Sequence, residues 1–355
     1  MSANQGMDAL DLVTRGLVSD LQTPKAARFW GDLIACACIG WGFLGLAVAA
    51  APFSGVMVTA SVAAGLFLYR GLCFTHELAH LKRKAIPGFE TAWNMLFGVP
   101  LLLPSFTYLG VHQSHHSLST YGTLADPEYL PFARSRRLML MFGLESTLLL
   151  PLLIVVRFLV LAPLGLVVPR FHRWLETHAS SFAMNPAYRR EVAPEMVAKM
   201  KRWEGAMLGA WATACALTWW RLLPSRLFIV WCAVFVFISF LNTVRVLAAH
   251  EYETDGTPRT RQGQLADSID TPGGPWTELW APVGLRYHAL HHYFPGIPYH
   301  NLRFAYQRLV RALPADSPYR QSTSPSLRHS LTALYVKAKR AGAMIAGSAF
   351  RSPGA

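Results

Sequence analysis

A long stretch without charge near the start of the sequence constrains the fold most. From position 33 to position 69 the chain has no charged residue, and Ala51-Pro52-Phe53-Ser54-Gly55 divides this stretch near its middle. A helix needs about 20 apolar residues to cross the hydrocarbon core of a bilayer, and neighbouring Pro and Gly residues favour a turn. The stretch therefore predicts a hairpin of two membrane-spanning helices joined by a short, uncharged turn.

Composition extends this prediction to the rest of the chain. Of 355 residues, 52% are hydrophobic and only 15% are charged, whereas soluble domains carry about 25% charged residues. A second hairpin is predicted from segments 205–220 and 227–249, and it ends just before His250. The sequence thus indicates an all-α integral membrane protein with about four transmembrane helices in two hairpins.

Histidines are concentrated at the ends of the apolar segments. Eight of the thirteen fall into three clusters, which are His76-Glu77-Leu78-Ala79-His80, His112-Gln113-Ser114-His115-His116 and His288-Ala289-Leu290-His291-His292. Residues at i, i+3 and i+4 lie on one face of a helix, so each cluster can direct its imidazoles to one point. Because neutral imidazole is the commonest metal ligand in proteins, the clusters predict a metal site.

A shared site constrains two further apolar segments. If all three clusters meet, they emerge on the same face of the bilayer, so segment 92–111, which two prolines interrupt, is predicted to be re-entrant or interfacial. Segment 138–168 contains Glu145 and Arg157 and is too short for two spans of about 20 residues each. We therefore expect it to lie in the interface with its charges facing water. The histidines then form a cytoplasmic cap.

The net charge of +13 fits a membrane surface better than a nucleic acid. No basic and aromatic module typical of nucleic-acid binding occurs in the sequence. Basic residues instead flank the apolar segments, as in the positive-inside pattern of membrane proteins; they include Lys82, Arg83, Lys84, Arg134, Arg136, Arg137, Arg189 and Arg190. We expect a multi-pass protein of the inner cell membrane, with both termini and the histidine-rich cap in the cytoplasm and membrane lipids as its surroundings.

The number of histidines separates the possible metal chemistries. A structural zinc ion takes four ligands and usually includes cysteine, whereas the clusters and His250 offer nine imidazoles. Nine nitrogens suit two metals with four or five ligands each and open positions for a small molecule. Nitrogen-ligated iron with open positions is typical of O₂ activation, and thiolates would be vulnerable to the oxidant.

The three clusters resemble the histidine boxes of the membrane fatty acid desaturase and hydroxylase superfamily. The motifs HELAH, HQSHH and HALHH occur in this order after apolar segments, and the resemblance extends from about Trp30 to His300. Three further stretches are similar to bacterial fatty acid desaturases: Ala125-Asp126-Pro127-Glu128-Tyr129, Val244-Arg245-Val246-Leu247-Ala248-Ala249-His250 and Ala281-Pro282-Val283-Gly284-Leu285-Arg286-Tyr287.

The resemblance implies a non-haem di-iron site. Its ligands would be His76, His80, His112, His115, His116, His288, His291 and His292, and a further histidine before the third box in related enzymes matches His250. Some members have an asparagine four residues before that histidine, where this chain has Val246. Asn242 lies earlier on the same segment, and whether it contributes to the site stays open.

The resemblance also implies a reaction. O₂ and two electrons from a ferredoxin- or cytochrome-type donor would remove hydrogen from an unactivated CH₂ of an acyl chain. Loss of a second hydrogen gives a double bond, and addition of oxygen gives an alcohol. We expect a fatty acyl desaturase, with a lipid hydroxylase as the alternative on the same site. The corresponding regions are a cytoplasmic segment 1–28, a membrane desaturase domain 29–312 and a cytoplasmic tail 313–355.

Two other classes of protein compete with this interpretation. The first cluster is also an H-E-x-x-H motif, in which Glu77 would be the general base of an intramembrane zinc protease. That interpretation leaves both HxxHH clusters unexplained. A metal transporter would place its ligands near the middle of the bilayer, whereas the clusters here lie at the ends of the predicted spans.

The remaining histidines and some carboxylates have weaker assignments. His172, His178 and His329 stand among polar neighbours and are predicted to be solvated. His300 follows the third box closely and is a candidate for supporting the site. Carboxylates could orient ligand imidazoles through their free N–H groups, and the candidates are Asp126, Glu128, Glu251, Asp267 and Asp270.

Overall fold

The computed structural model describes residues 13–82 and 84–349, with the side chains of residues 343–349 excepted. Within these residues the chain forms helices joined by turns and loops, together with three isolated β-bridges and no β-strand. The predicted all-α architecture is confirmed.

The long helices and the short ones that carry the site follow one another along the chain. The first are α1 (Ala26–Ala49), α2 (Gly55–His80), α3 (Phe89–Trp93), α4 (Val111–His116), α5 (Arg136–Val167), α6 (Pro169–His178) and α7 (Pro194–Trp219). The others are α8 (Arg226–Leu247), α9 (Arg261–Asp267), α10 (Thr277–Trp280), α11 (His288–Tyr293), α12 (Tyr299–Ala312), α13 (Pro318–Gln321) and α14 (Leu327–Ala349). Turns of 3₁₀ helix occur at Ser19–Leu21, Ser105–Thr107 and Phe132–Arg134, and π-helical turns at Asn94–Gly98, Glu145–Leu149 and Val156–Leu161.

Four helices in the described part of the chain are long and apolar enough to cross a membrane, namely α1, α2, α5 and α8. The first predicted hairpin is confirmed, because α1 and α2 pack against each other across a tight connection. Ser54 ends that connection, and its hydroxyl accepts a hydrogen bond from the backbone N–H of Met57 in the first turn of α2.

Helix α5 corrects the prediction for segment 138–168. The chain there forms one continuous helical run rather than an interfacial piece, and this run is long and apolar enough to span. Pro151 and Pro163 would break an ordinary helix, but each lies at the start of a new α-helical stretch after a π-helical turn. The leucines at 140, 144, 152 and 164 are exposed, as expected of a lipid-facing helix.

The second predicted hairpin is confirmed only in part. Helix α8 is one of the four candidate spans, but α7 is not. The N-terminal part of α7 contains Lys199, Arg202 and Glu204, and only the part after Glu204 is free of charged residues. The two helices nevertheless lie together, with the ring of Trp211 centred 4.9 Å from that of Trp231.

As predicted, segment 92–111 does not form a membrane-spanning helix. Its broken backbone leaves carbonyl groups without helical partners, which is tolerable at membrane depth only where protein covers them. Indole N–H groups from three long helices supply the hydrogen bonds: Trp41 donates to Leu96 O, Trp211 to Val99 O and Trp231 to Pro100 O, at 2.8, 3.3 and 3.1 Å. These helices therefore hold the segment inside the bundle.

A buried charge network joins α5, α6 and α7. The Arg157 guanidinium donates to Glu204 at 2.7 Å, and the other oxygen of Glu204 lies 3.3 Å from His172 Nε2. His172 Nδ1 is 2.5 Å from Glu176. The prediction that His172 and Arg157 face water is therefore wrong, because Glu204, distant in sequence, provides a buried partner for both.

Candidate metal centre

The first two ligand candidates lie at the end of a long helix. His76 and His80 are separated by four residues on the last turn of α2, and their rings are 5.3 Å apart, centre to centre. Because the helix is packed along most of its length, these imidazoles are presented from a rigid support.

The second cluster forms the short helix α4, which is attached to the end of α2. The Gln113 amide donates to Ala79 O, and its oxygen accepts from the backbone N–H of Gly110 at 2.7 Å. Gly110 has φ +83°, a conformation that favours glycine. This attachment fixes the direction in which the cluster's imidazoles point.

The third cluster forms α11, which a buried carboxylate and a close contact hold in place. Asp270 accepts a hydrogen bond from the backbone N–H of Leu290 at 3.1 Å and from the Tyr319 hydroxyl at 2.9 Å. Before α11, Gly284 has φ +72°, and a Cβ there would lie 2.6 Å from Leu302. A larger residue at 284 would therefore push the loop away from α12.

The nine predicted histidines all meet at one place, in two groups. Group one consists of His76, His80, His112, His116 and His291. Group two consists of His115, His250, His288 and His292. Within each group the facing ring nitrogens all lie within 4.8 Å of one another, and either group could hold a metal ion.

Both HxxHH clusters contribute to both groups. In α4, the i, i+4 pair His112 and His116 belongs to group one, while His115 belongs to group two. In α11 the pair His288 and His292 belongs to group two, while His291 belongs to group one. The two groups therefore lie next to each other and share the two short helices α4 and α11.

The nitrogen spacings fit metal coordination. His291 Nε2 lies 3.0 Å from His80 Nε2 and 3.2 Å from His116 Nε2; His250 Nε2 lies 2.8 Å from His288 Nε2 and 3.3 Å from His115 Nε2. Hydrogen bonds do not explain all of these short spacings, because a ring nitrogen carries at most one hydrogen and cannot donate to two other nitrogens. Nitrogens at right angles around one ion, at about 2.1 Å from it, are about 3.0 Å apart.

Unpartnered nitrogens support the same interpretation. Neither ring nitrogen of His76 has a hydrogen-bond partner, although both are buried, and the same holds for Nδ1 of His288, His291 and His292. An unsatisfied buried polar atom is costly. For His76, an ion in group one would provide the missing partner, so the donor set of the described residues fits a metal.

The electrostatics keep most of these imidazoles in the ligating form. Burial, together with neighbouring imidazoles, holds the pKa of His112, His116, His288, His291 and His292 well below the ordinary value. Burial also lowers the pKa of His250. For His115 burial acts in the same direction, but the neighbouring carboxylates, Asp126 foremost, together raise the pKa. Neutral imidazole is the form that binds metals.

Three of the five candidate carboxylates lie beside imidazoles of the two groups. Asp126 is 3.0 Å from His115 Nδ1, and Glu128 is 2.9 Å from His112 Nδ1. Asp267 lies 3.6 Å from His250 Nδ1. Such contacts fix the ring so that its Nε2 would face a bound metal. The other two have different partners: Asp270 holds the backbone of α11, and Glu251 pairs with Lys337.

Two tyrosines belong to this outer layer and are absent from the sequence-based prediction. The Tyr108 hydroxyl lies 2.9 Å from His112 Nδ1, and the Tyr121 hydroxyl lies 2.8 Å from His250 Nδ1. Tyr108 is four residues before His112, a spacing that could have indicated it. Tyr121 is distant in sequence from His250, and nothing local in the sequence indicates the contact.

Apart from His250, the histidines outside the three clusters do not reach the site. His300 is half-buried and accepts a hydrogen bond from the backbone N–H of Lys25, so it supports the N-terminal segment instead. His178 and His329 are exposed, as predicted. Asn242 does not contact a cluster histidine either. Its amide oxygen accepts hydrogen bonds from the Arg245 guanidinium.

Replacement of Asp126 tests the outer layer. Asp126 is fully buried and also accepts from the backbone N–H groups of Gly122 and Glu128. We expect Asp126→Asn to weaken metal retention in group two by about 10- to 100-fold, because His115 loses its anionic partner. Titration with a chelator measures this, with Asp32→Asn as a control that makes the same chemical change at a carboxylate that contacts none of the three histidine clusters; equal retention in both variants would contradict the assignment.

A cavity of about 320 Å³ leads to His76 from within the helices. One wall is a single face of α2 and another is a single face of α8, with α5 closing a third side. The main lining residues of these walls are Tyr69, Leu72, Cys73, Phe142, Ser146, Leu150, Phe235, Ile238, Ser239, Asn242 and Arg245. A largely apolar cavity of this size is typical of a site for a small apolar ligand.

Comparisons with known proteins agree with the histidine arrangement. The model of the fatty acid desaturase family matches residues 52–323. A ceramide hydroxylase of Caulobacter vibrioides is 40% identical over 337 residues, which cover 92% of this chain and 93% of that protein. The chain therefore belongs to the fatty acid desaturase family.

Proposed function

We propose that this protein is an O₂-dependent lipid hydroxylase with a di-iron centre, and that its substrate is a lipid of the ceramide class. Two adjacent histidine groups at the end of an apolar cavity carry this proposal. From the sequence we expected desaturation, with hydroxylation as the alternative. The similarity to a ceramide hydroxylase over nearly the whole chain supports hydroxylation.

The two groups would hold one iron each, with five imidazoles in group one and four in group two. A di-iron centre bound there supplies the two-electron chemistry of O₂ and the power to oxidise an unactivated carbon. We further propose that the electrons come from a separate ferredoxin- or cytochrome-type protein.

The residues of this chain position and shield the substrate. The apolar faces of α2, α5 and α8 bind the hydrocarbon, and His76 lies where the cavity meets group one. The described histidines of both groups are largely inaccessible to solvent, which keeps water from the reacting carbon. Glu128 lines the same end of the cavity, and burial raises its pKa to about 7.

Basic residues beside the histidine end of the spans support the proposed orientation. Lys82 and Lys84 follow α2 directly, and Arg136 begins α5. Lysine and arginine are enriched on the cytoplasmic side of membrane proteins. We accordingly propose that the metal centre faces the cytoplasm and that the protein lies in the inner cell membrane.

Incubation with isotopically labelled O₂ tests the proposal. Purified protein, a reductant with a donor protein, and an N-acyl sphingoid lipid are combined, and the products are analysed by mass spectrometry. We expect a product that carries one labelled oxygen atom. A product that has lost two hydrogens without gaining label would instead indicate a desaturase, and no product in the presence of bound iron would contradict the proposed substrate class.

Glu77 distinguishes this function from a zinc protease. One oxygen of its carboxylate accepts a hydrogen bond from the backbone N–H of Tyr299 at 2.9 Å, at the start of α12, and the other lies 3.9 Å from His76 Nδ1. We expect Glu77→Gln to change hydroxylation by less than about fivefold, because the amide oxygen can keep a hydrogen bond worth about 1 kcal/mol. His80→Ala is the inactive reference, and abolition of activity in Glu77→Gln would argue for a general base.

A further inference from the structure

The largely apolar cavity contains one basic side chain among its lining residues, that of Arg245. Arg245 lies in the last turn of α8, on the face that also carries Asn242 and Ile238. A guanidinium in an apolar wall is unfavourable unless acceptors surround it. Its partners therefore indicate what the cavity is built to hold.

Arg245 has few partners within the protein. Its Nε and Nη2 atoms donate to the amide oxygen of Asn242 at 3.2 and 3.1 Å. No carboxylate of the described residues lies within 4.0 Å of it, although the charge of Glu128 acts on it, and the neighbouring Tyr69 hydroxyl accepts from it and donates to Trp280 O. Because arginine carries five N–H donors in a fixed plane, several donors stay available to a molecule in the cavity.

Other arginines packed against these helices have their acceptors in the protein. Arg70 pairs with Asp32 and Glu278, and Arg157 with Glu204. Arg190 donates to three backbone carbonyls. Arg245 differs from them in that its acceptors are neutral: the amide of Asn242, which holds the guanidinium in place, and the hydroxyl of Tyr69.

Arg245 lies at the end of the cavity that is nearest the candidate metal centre. His250 of group two follows Arg245 by five residues, and Tyr108 and Glu128 border the same end of the cavity. Phe235, ten residues earlier on α8, lines the cavity about 15 Å away along the helix axis. The cavity thus has a polar end near the histidines and an apolar end farther from them.

We propose that Arg245, held by Asn242, binds an oxygen atom of the substrate's polar part and thereby determines which carbon is oxidised. This inference rests on the proposed function. Arg245 in this position fits an N-acyl sphingoid lipid. The amide carbonyl and hydroxyl oxygens of such a lipid lie close to the carbons that would be placed beside His76, and its hydrocarbon would extend toward Phe235. Arg245 is a positioning residue, which acts through the substrate's polar group.

Binding measured without oxygen tests this role apart from turnover. The purified holoprotein is titrated anaerobically with N-octanoyl sphinganine and, separately, with a long-chain hydrocarbon that carries no oxygen atom. We expect Arg245→Met to weaken binding of the amide lipid about 10- to 100-fold, the effect of losing a hydrogen bond to a charged group, and to leave binding of the hydrocarbon unchanged. Arg245→Lys and Asn242→Leu should give intermediate losses.

Arg226→Met is the matched control, because Arg226 begins the same helix, lies outside the cavity and donates to Ala50 O. In active preparations, Arg245→Lys should also spread the hydroxyl over several positions. Equal losses for both lipids, or no loss for the amide lipid, would overturn the inference. If the wild-type protein binds the amide lipid through Arg245 but does not oxidise it, the proposed function fails while this inference stands.

Discussion

Alanine at His291 or at His288 should each abolish hydroxylation, with a loss of more than about a hundredfold, because changes in the residues that merely support metal ligands already cost up to that factor. His291 Nε2 lies between His80 and His116 in group one, and His288 Nε2 contacts His250 and His292 in group two. Product formation from an N-acyl sphingoid lipid measures the effect.

His300→Ala is the control for both variants. His300 lies near the third cluster in sequence but contacts Lys25 and Asn301 instead of the site. We expect it to keep wild-type activity. If His291→Ala were as active as His300→Ala, group one would have no role in the reaction.

Loss of the Glu204 charge should destabilise the protein by about 3 to 5 kcal/mol, because it leaves the buried Arg157 guanidinium without its anion. Glu204 is fully buried and contacts both Arg157 and His172. In Glu204→Gln, we expect the midpoint of thermal denaturation in detergent to fall on the order of 10 °C.

Glu176→Gln is the matched control for this prediction. Glu176 contacts His172 alone within the network and is partly exposed, so its charge is less costly to remove. The two variants make the same chemical change on neighbouring helices. Equal denaturation midpoints in both would show that the ion pair of Glu204 with Arg157 contributes no more to stability than the contact of Glu176 with His172.

The site could be predicted from the sequence because metal ligands repeat along helices. His76 and His80, and each HxxHH cluster, follow the i, i+3, i+4 spacing, and all nine predicted histidines meet in the structure. Their division into five and four could not be predicted. It depends on how α4 and α11 are oriented, so that His115 and His291 each join the opposite group from their neighbours.

Two errors have different physical origins. Arg157 is a charge in an apolar segment and His172 stands among polar neighbours, so both were expected to face water, but Glu204 from α7 gives them a buried partner. The charges and the length of segment 138–168 argued against a span, whereas the chain there forms one helix that π-helical turns interrupt without ending. The histidine boxes do not predict whether desaturation or hydroxylation occurs, because both outcomes use the same ligands.

The metal content of the purified protein tests the central claim most directly. Protein from iron-supplemented cells should contain about two irons per chain, one for each histidine group, and about one in His291→Ala or His288→Ala. A single zinc ion per chain that survives both substitutions and is lost only in His76→Ala would contradict the di-iron centre.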